Sequence, residues 1–389
     1  MHEVSVDTWS VLRGETYYKL HLNAPVGRWF PALEHLYWCI TESNHPYIGL
    51  FFSPYLKGIS IFVPWSWSNS GLPRNIPPVI ASTISALPAS ALQHLSVDVD
   101  CCGVPSAYFK GSLSSVVLRC GPSLTKFSSP TPLSDAAIDH LIHLPNLRAW
   151  NTEHPPPDYS TPSLPLVFPP LEEFTLAGGA ADGWLSLFKR LQGCVSSTQG
   201  ATPLSRVRES LEYLSIGKFP GPITGSSFTS AIQTFRNLVI LGVSVNCRDG
   251  RCMFELNNDN VAELAIALPR LHTLLLGYPC SNNTCATTVA CLLPISVHCT
   301  GLRTLGIHFN TTNIVDDLKN ISEDPRFQEL RSLQKCGLWR FDVHRMSLTL
   351  DESGFKTVVR GMMNIFPDLE RCDGWDDFNW RLAEVRGSA

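Results

Sequence analysis

Within residues 268–277 apolar and polar positions alternate as Leu-x-x-Leu-x-Leu, with Leu271, Leu274 and Leu276 directed to one side. Alternation of period two marks a short strand with one buried face. The same cadence recurs at Leu33/Leu36/Trp38, Leu56/Ile59/Ile61, Leu92/Leu95/Val97 and Leu113/Val116/Leu118. It continues at Leu147/Trp150, Leu171/Phe174/Leu176, Leu211/Leu214/Ile216 and Leu238/Leu241/Val243. Leu302/Leu305/Ile307, Leu333/Cys336/Leu338 and a degraded Leu369/Cys372 complete it. Steps between first leucines run mostly from 21 to 36 residues, with one of 40. Leu124/Phe127 follows Leu113 too closely for a full coil, so it is expected as an extra extended segment. Self-similarity at this period predicts a repeat architecture.

Between the strands the period changes to that of a helix. Ile138, Leu141 and Ile142 share a face behind a possible N-cap at Ser134, and Val261, Leu264, Ala265 and Leu268 do so behind Asp259 or Asn260. Leu185, Phe188 and Leu191 keep the spacing, as do Phe228, Ile232 and Phe235, and Phe355, Val358, Met362 and Ile365. A bulky apolar residue, proline, any residue and leucine precede several strands: Phe30-Pro-Ala-Leu33, Leu144-Pro-Asn-Leu147, Phe168-Pro-Pro-Leu171, Leu268-Pro-Arg-Leu271 and Phe366-Pro-Asp-Leu369. Proline disfavours helical geometry in the residue before it, so it ends the returning helix there. The predicted fold is α/β, a leucine-rich-repeat solenoid. Strand–helix–strand crossovers are right-handed, which gives a curved right-handed superhelix with parallel strands on the concave face and helices and irregular loops outside. Residues 1–29 are expected as an irregular N-terminal cap or a worn repeat. Residues 30–389 form the repeat domain with a C-terminal cap.

The chemistry narrows the function classes. A formal charge of -4 gives no basic footprint for nucleic acid, and no apolar run approaches the roughly 18 residues of a membrane helix. The start, Met-His-Glu-Val-Ser-Val-Asp, shows no secretory pattern, so a cytoplasmic or nuclear location with reduced thiols is expected for the 13 cysteines. A monomer is expected. No nucleophile elbow, phosphate loop or His-Glu-x-x-His motif stands in the chain, so neither an enzyme nor a cofactor is expected. Cys247, Cys252, Cys280 and Cys285 could hold zinc if adjacent coils brought them together. Small buried fillers are the favoured reading of these thiols.

The usable surface of a solenoid is the row of residues between its buried leucines. It offers His35 and Tyr37 near the start, Val117 and Arg119 in the Leu113 coil, Tyr213 midway, and His308, Lys335, Trp339, Arg371 and Trp375 towards the end. Trp339, Arg340, Arg371, Asp373, Trp375 and Trp380 combine aromatics with charges, as interface hot spots do. Trp375 and Trp380 equally fit a cap over the last repeat. The proline–leucine strand starts and the run Leu133-Ser-Asp-Ala-Ala-Ile-Asp-His-Leu-Ile-His-Leu-Pro-Asn-Leu-Arg148, within residues 122–178, resemble the repeat region of fungal F-box/leucine-rich-repeat proteins. The resemblance covers roughly residues 30–375. It implies a protein substrate held by the repeats, and a Skp1-type adaptor of a cullin ubiquitin ligase reached through an F-box upstream, which is not itself visible here. A stand-alone repeat scaffold outside ubiquitination is the other reading.

Overall fold

A computed structural model of the chain describes residues 3–6, 18–19, 22, 30–40, 45–63, 76–99, 106–153, 169–178, 185, 188, 205–219, 223–245, 254–278, 285–325, 327, 329, 336–343, 350–373 and 376–387. These residues fall into two compact units, Met1–Leu176 and Ala177–Ala389. In the first, β1 (Glu3–Val6), β2 (His35–Cys39), β3 (Gly58–Phe62), β4 (His94–Asp98), β5 (Lys126–Ser129), β6 (Ala149–Thr152) and β7 (Glu173–Ala177) lie in chain order. Each pairs in parallel with the next. In the second, β8 (Tyr213–Phe219), β10 (Ile240–Val245), β12 (Thr273–Tyr278), β13 (Thr304–Ile307), β14 (Arg340–Asp342) and β15 (Arg371–Asp373) do the same. A small parallel pair, β9 (Ile223–Thr224) with β11 (Phe254–Glu255), follows the main strands of two coils. This is the leucine-rich-repeat arrangement.

The register explains why the leucines recur. Leu36, Ile59, Leu95, Phe127, Trp150 and Phe174 stand directly opposite one another in successive strands. Leu214, Leu241, Leu274, Leu305, Phe341 and Cys372 form the equivalent column in the second unit. All twelve are 2 % exposed or less. Burying one such leucine contributes roughly 1.5–3 kcal/mol, and no coil gains this without a neighbour to cover it.

Most of the main strands begin with the same backbone device. The amide of the first leucine donates to the carbonyl three residues earlier, Leu33 to Phe30 at 3.1 Å, Leu271 to Leu268 at 3.3 Å and Leu369 to Phe366 at 3.1 Å. Pro31, Pro269 and Pro367 therefore occupy the second position of a turn, where their fixed φ fits. The next carbonyl then accepts two amides of the following coil. Glu34 O takes Lys57 N and Gly58 N, and Lys57 O takes Gln93 N and His94 N. His272 O takes Arg303 N and Thr304 N, and Trp339 O takes Glu370 N and Arg371 N. At Gly277, with φ of 74°, β12 bulges by one residue against β10. Glycine alone adopts this left-handed geometry freely.

Two expectations are corrected. Leu113, Val116 and Val117 belong to a helix, α2 (Lys110–Val117), and not to a strand. The i, i+3 pair Leu113/Val116 serves a helical face as well as the strand cadence, but the third buried residue is Val117 at i+4, whereas Leu118 at i+5, where the cadence needs it, is 47 % exposed. The strand of that coil is β5, set by Leu124 and Phe127, and it opens with the same turn, Leu124 N to Gly121 O at 3.2 Å around Pro122. Val117 is accordingly buried, and the Arg119 guanidinium donates to the Ser85 and Ser115 carbonyls instead of lining the sheet. Near the end the repeat is framed by Leu338, Phe341 and Val343, five residues after the Leu333/Cys336/Leu338 frame, because Leu305 pairs with Phe341.

The helices follow the apolar faces. In the first unit α1 (Ile76–Ser85) packs against α2, and α2 against α3 (Asp135–Ile142), whose N-cap Ser134 accepts from Ala137 N. In the second unit α4 (Ser205–Ser210) precedes α5 (Gly225–Ile232). In α6 (Asn258–Ala267) the cap is Asn257, with Asn260 completing a reciprocal capping box. Then come α7 (Leu292–His298), α8 (Ile314–Glu323) and α9 (Glu352–Ile365). Of the expected helix at 185–191, Leu185 and Phe188 are helical and the rest lies outside the described residues. A last helix, α10 (Asp376–Gly387), closes β15. Its Asn379 carboxamide accepts from Cys372 N at 2.7 Å and donates to Cys372 O at 2.8 Å, occupying both groups as a further strand would.

Candidate recognition surface

Strand alternation leaves two rows of side chains on the sheet face opposite the buried column. In the first unit the rows are His35, Gly58, His94, Lys126, Ala149, Glu173 and Tyr37, Ser60, Ser96, Ser128, Asn151, Thr175. Neighbouring strands are ~4.8 Å apart, so side chains on alternate strands meet only across a small residue. Gly58 provides that gap. A Cβ there would stand 2.5 Å from His35 Nδ1, and the His35 and His94 rings approach to 5.8 Å between centroids. Lys126 Nζ reaches Glu173 at 3.7 Å across Ala149. Desolvation of the His94 ring, then the neighbouring His35 and Lys126 charges, lower its pKa below the usual imidazole value.

In the second unit the rows are Tyr213, Ile240, Thr273, Thr304, Arg340, Arg371 and Ser215, Gly242, Leu275, Gly306, Asp342, Asp373. Over β10 to β13 this face is smooth. Leu275 lies across Gly306, where a Cβ would meet Leu275 Cδ2 at 2.7 Å. At β14 and β15 it becomes charged. Arg340 Nε donates to Asp373 Oδ2 at 2.6 Å, and Arg371 Nε donates to the other carboxylate oxygen. The Asp373 side chain is 19 % exposed, against 42 % for Arg340 and 62 % for Arg371. Its partial burial opposes the charge, but the hydrogen bonds and charges of Arg371 and Arg340 outweigh this and hold the carboxyl below the ordinary range.

Of the residues singled out from sequence, His35, Tyr37, Tyr213, Arg371 and Asp373 stand on these rows. His308 follows β13, half-buried, with its amide directed to Leu276 O at 3.4 Å. Trp339 is 42 % exposed, but it precedes Arg340 and belongs to the flanking row that includes His272 and Arg303. Lys335 and Trp375 lie outside the described residues, as does the Trp380 side chain. Lys126 and Asp342 were missed because each sits in a coil whose frame the leucine cadence misplaced; Pro122 was the available signal for Lys126.

Cys247, Cys252 and Cys280 also lie outside the described residues. Cys285 is buried and its thiol is directed at Thr287 O. Burial pushes the Cys120 thiol up to about 12; burial and then Cys336 do the same at Cys299, and Cys336 itself rises to about 11, again chiefly by burial. Such thiols are protonated packing groups at neutral pH. A cavity of about 820 Å³ lies away from the sheet face, lined by Arg208, Arg236, Glu263 and Ile266 near the ends of α5 and α6. Among the described residues no helix is long and apolar enough to cross a membrane.

No protein-family model and no curated protein matches this sequence. Solved structures do match. A chain of the yeast Rad7–Elc1 complex is 17% identical, with a TM-score of 0.50, over 87% of this chain and 75% of that one. The leucine-rich-repeat protein LegL7 of Legionella pneumophila is 12% identical, with a TM-score of 0.36, over 82% of this chain and 97% of that one. The similarity to the yeast chain is one of fold: parallel strands stacked in sequence order, each coil covered by the next.

Proposed function

We propose that this chain is a non-enzymatic protein-recognition module, the substrate-binding part of an F-box-type (Skp1–cullin–F-box) ubiquitin-ligase adaptor. The observation that carries the recognition reading is the sheet face itself. It holds exposed aromatic, cationic and anionic side chains at fixed spacing on a hydrogen-bonded ladder, ending in the Arg340–Asp373–Arg371 cluster beside Trp339. Side chains held on rigid strands lose little entropy on binding, which favours them as interface anchors. The link to ubiquitination rests on the family resemblance. The fold-level similarity to a chain crystallised in the Rad7–Elc1 complex is in keeping with protein partners.

The test is quantitative affinity capture with the full chain and with an Arg340→Glu/Arg371→Glu variant whose fold is verified by circular dichroism. Partners lost from the variant, together with a Skp1-type adaptor retained by both, support the proposal. Identical partner sets sink the recognition role of this end of the face. Partner capture with no adaptor leaves a stand-alone repeat scaffold.

A further inference from the structure

The edge at which the strands begin is charged differently in the two units. In the first it runs Glu34, Lys57, Gln93, Thr125, Arg148 and Glu172. Lys57 Nζ reaches Glu34 at 3.1 Å and Arg148 Nε reaches Glu172 at 3.8 Å, so this edge pairs its own charges. In the second it runs Glu212, Val239, His272, Arg303, Trp339 and Glu370. The turns just before β10 and β12 add Arg236 and Arg270. Arg236, Arg270 and Arg303 are exposed, and among the described residues none of the three stands in an ion pair. Arg270 Nη1 donates to Asn237 Oδ1 at 3.1 Å, and Asn237 Nδ2 donates in turn to Glu209 O at 2.7 Å. That chain holds the guanidinium by a neutral partner and leaves its charge uncompensated. Glu212 and Glu370 stand only at the two ends of the row.

Beside this edge opens the cavity of about 820 Å³, whose walls include Arg236, Pro269, Glu263 and Ile266. Ile266 is 60 % exposed there, a large aliphatic side chain left open to solvent. At the far end of the row Trp339 is exposed next to Arg303. We propose that this edge, from the cavity at Ile266 past Arg236, Arg270 and Arg303 to Trp339, binds an extended acidic segment of a partner protein that seats one aliphatic side chain against Ile266. The surface is separate from the sheet face described above and does not use the Arg340–Asp373–Arg371 cluster.

Charge complementarity names the chemistry. A planar guanidinium donates two parallel hydrogen bonds to a carboxylate, and arginine with tryptophan is the composition of interface anchors. The spacing suits a short segment. Neighbouring strands are ~4.8 Å apart, so β10 to β13 spans ~10 Å, or about three residues of extended chain at ~3.3 Å each. A few carboxylates within one such segment meet all three guanidiniums. The cavity separates a polypeptide from other polyanions. Its exposed wall is aliphatic where a nucleic-acid base calls for an aromatic face, and Glu263 offers an acceptor to peptide N–H groups, which a phosphodiester backbone lacks. A formal charge of -4 over the whole chain adds no field that would draw in a long polyphosphate.

The experiment measures the fluorescence anisotropy of a labelled peptide, one leucine among aspartates, titrated with the full chain. A twin with asparagine in place of aspartate, a single-stranded RNA oligonucleotide and phosphatidylserine vesicles are run in parallel. The acidic peptide should bind saturably, lose affinity as salt is raised, and bind at least about tenfold more tightly than its twin. Arg270→Glu/Arg303→Glu should weaken it about tenfold or more, and Ile266→Ser about threefold. All three side chains are exposed, so these variants keep the fold, which circular dichroism verifies. Equal binding of the asparagine twin overturns the proposal, as does unchanged binding in Arg270→Glu/Arg303→Glu. Unchanged binding in Ile266→Ser overturns the part given to the cavity. Tighter binding of the RNA or of the vesicles overturns the polypeptide source. The two readings fail separately. Partners captured by a chain carrying Arg270→Glu/Arg303→Glu, and lost with Arg340→Glu/Arg371→Glu, leave the sheet-face reading standing without the edge site. Peptide binding by a chain that captures no partner does the reverse.

Discussion

The sheet faces of β2–β5 and β13–β15 are built on the same ladder but distribute charge differently. Both bury a leucine column on one side and link coils through a carbonyl that accepts two amides. Over β2–β5 the outward rows carry His35, His94 and Lys126 next to serines. Over β14–β15 the outward rows alternate arginine with aspartate, and Asp373 takes a hydrogen bond from both Arg340 and Arg371. The inward side fixes geometry and tolerates little change, whereas the outward side is free to vary. A carboxylate shared by two guanidiniums compensates charge more fully than the single, more exposed Lys126–Glu173 pair does.

If the scaffold is common to both faces, damage to it should be equally severe in each. Leu95→Ala and Leu305→Ala remove fully buried column residues, and each should cost about 2–5 kcal/mol in urea unfolding, with scatter set by how far the cavity collapses. A cost below about 1 kcal/mol at either site contradicts a shared, tightly packed column. The ladder also has to be closed at its last strand. Asn379→Ala strips the Cys372 amide and carbonyl of their partners and should cost about 1–3 kcal/mol. It should also promote end-to-end association visible by light scattering, since an open edge templates pairing.

How much of this was legible in the sequence depended on which side a residue faces. The leucine cadence marked the inward column and nearly every strand. It failed at Leu113, where the i, i+3 pair Leu113/Val116 fits a helical face and a strand equally, and the Gly121-Pro122 turn marks where the strand begins. It slipped at Leu333 because Cys336 and Leu338 are both buried, at 1 % and 0 % exposure, so burial alone does not fix which residue starts the strand. Once a frame moves, the outward residues change identity, which hid Lys126 and Asp342. Contacts across a strand, such as His35 with His94 over Gly58, depend on register and have no local signature.

The charged end can be tested by removing its shared acceptor. Asp373→Asn leaves Arg340 and Arg371 with a weaker partner and should cost roughly 1 kcal/mol, since both guanidinium partners are well exposed. Because the native Asp373 pKa lies below its ordinary 3.8, the stability it contributes is present above 3.8 and lost as pH falls through the native value. The variant should lack that acid-dependent loss in urea titrations run at successive pH values. It should also leave two uncompensated guanidiniums on this face.

The smallest change sharpens the other side of the comparison. Lys126→Gln removes an exposed ion pair with Glu173 and should alter stability at neutral pH by no more than about 0.5 kcal/mol. Its effect on His94 has a definite sign. Lys126 is one of the charges that lower the His94 pKa, so its removal should let that pKa climb back towards 6.5. While the native value is lowered, the unfolded chain binds its proton first, and native stability erodes as pH falls below 6.5. The variant should erode less. A His94 midpoint that stays put or falls further, read from its imidazole resonances, would remove Lys126 as a source of like-charge crowding on the β2–β5 face. The remaining lowering would then belong to desolvation and His35, and Lys126 would face outward as an ordinary solvated side chain.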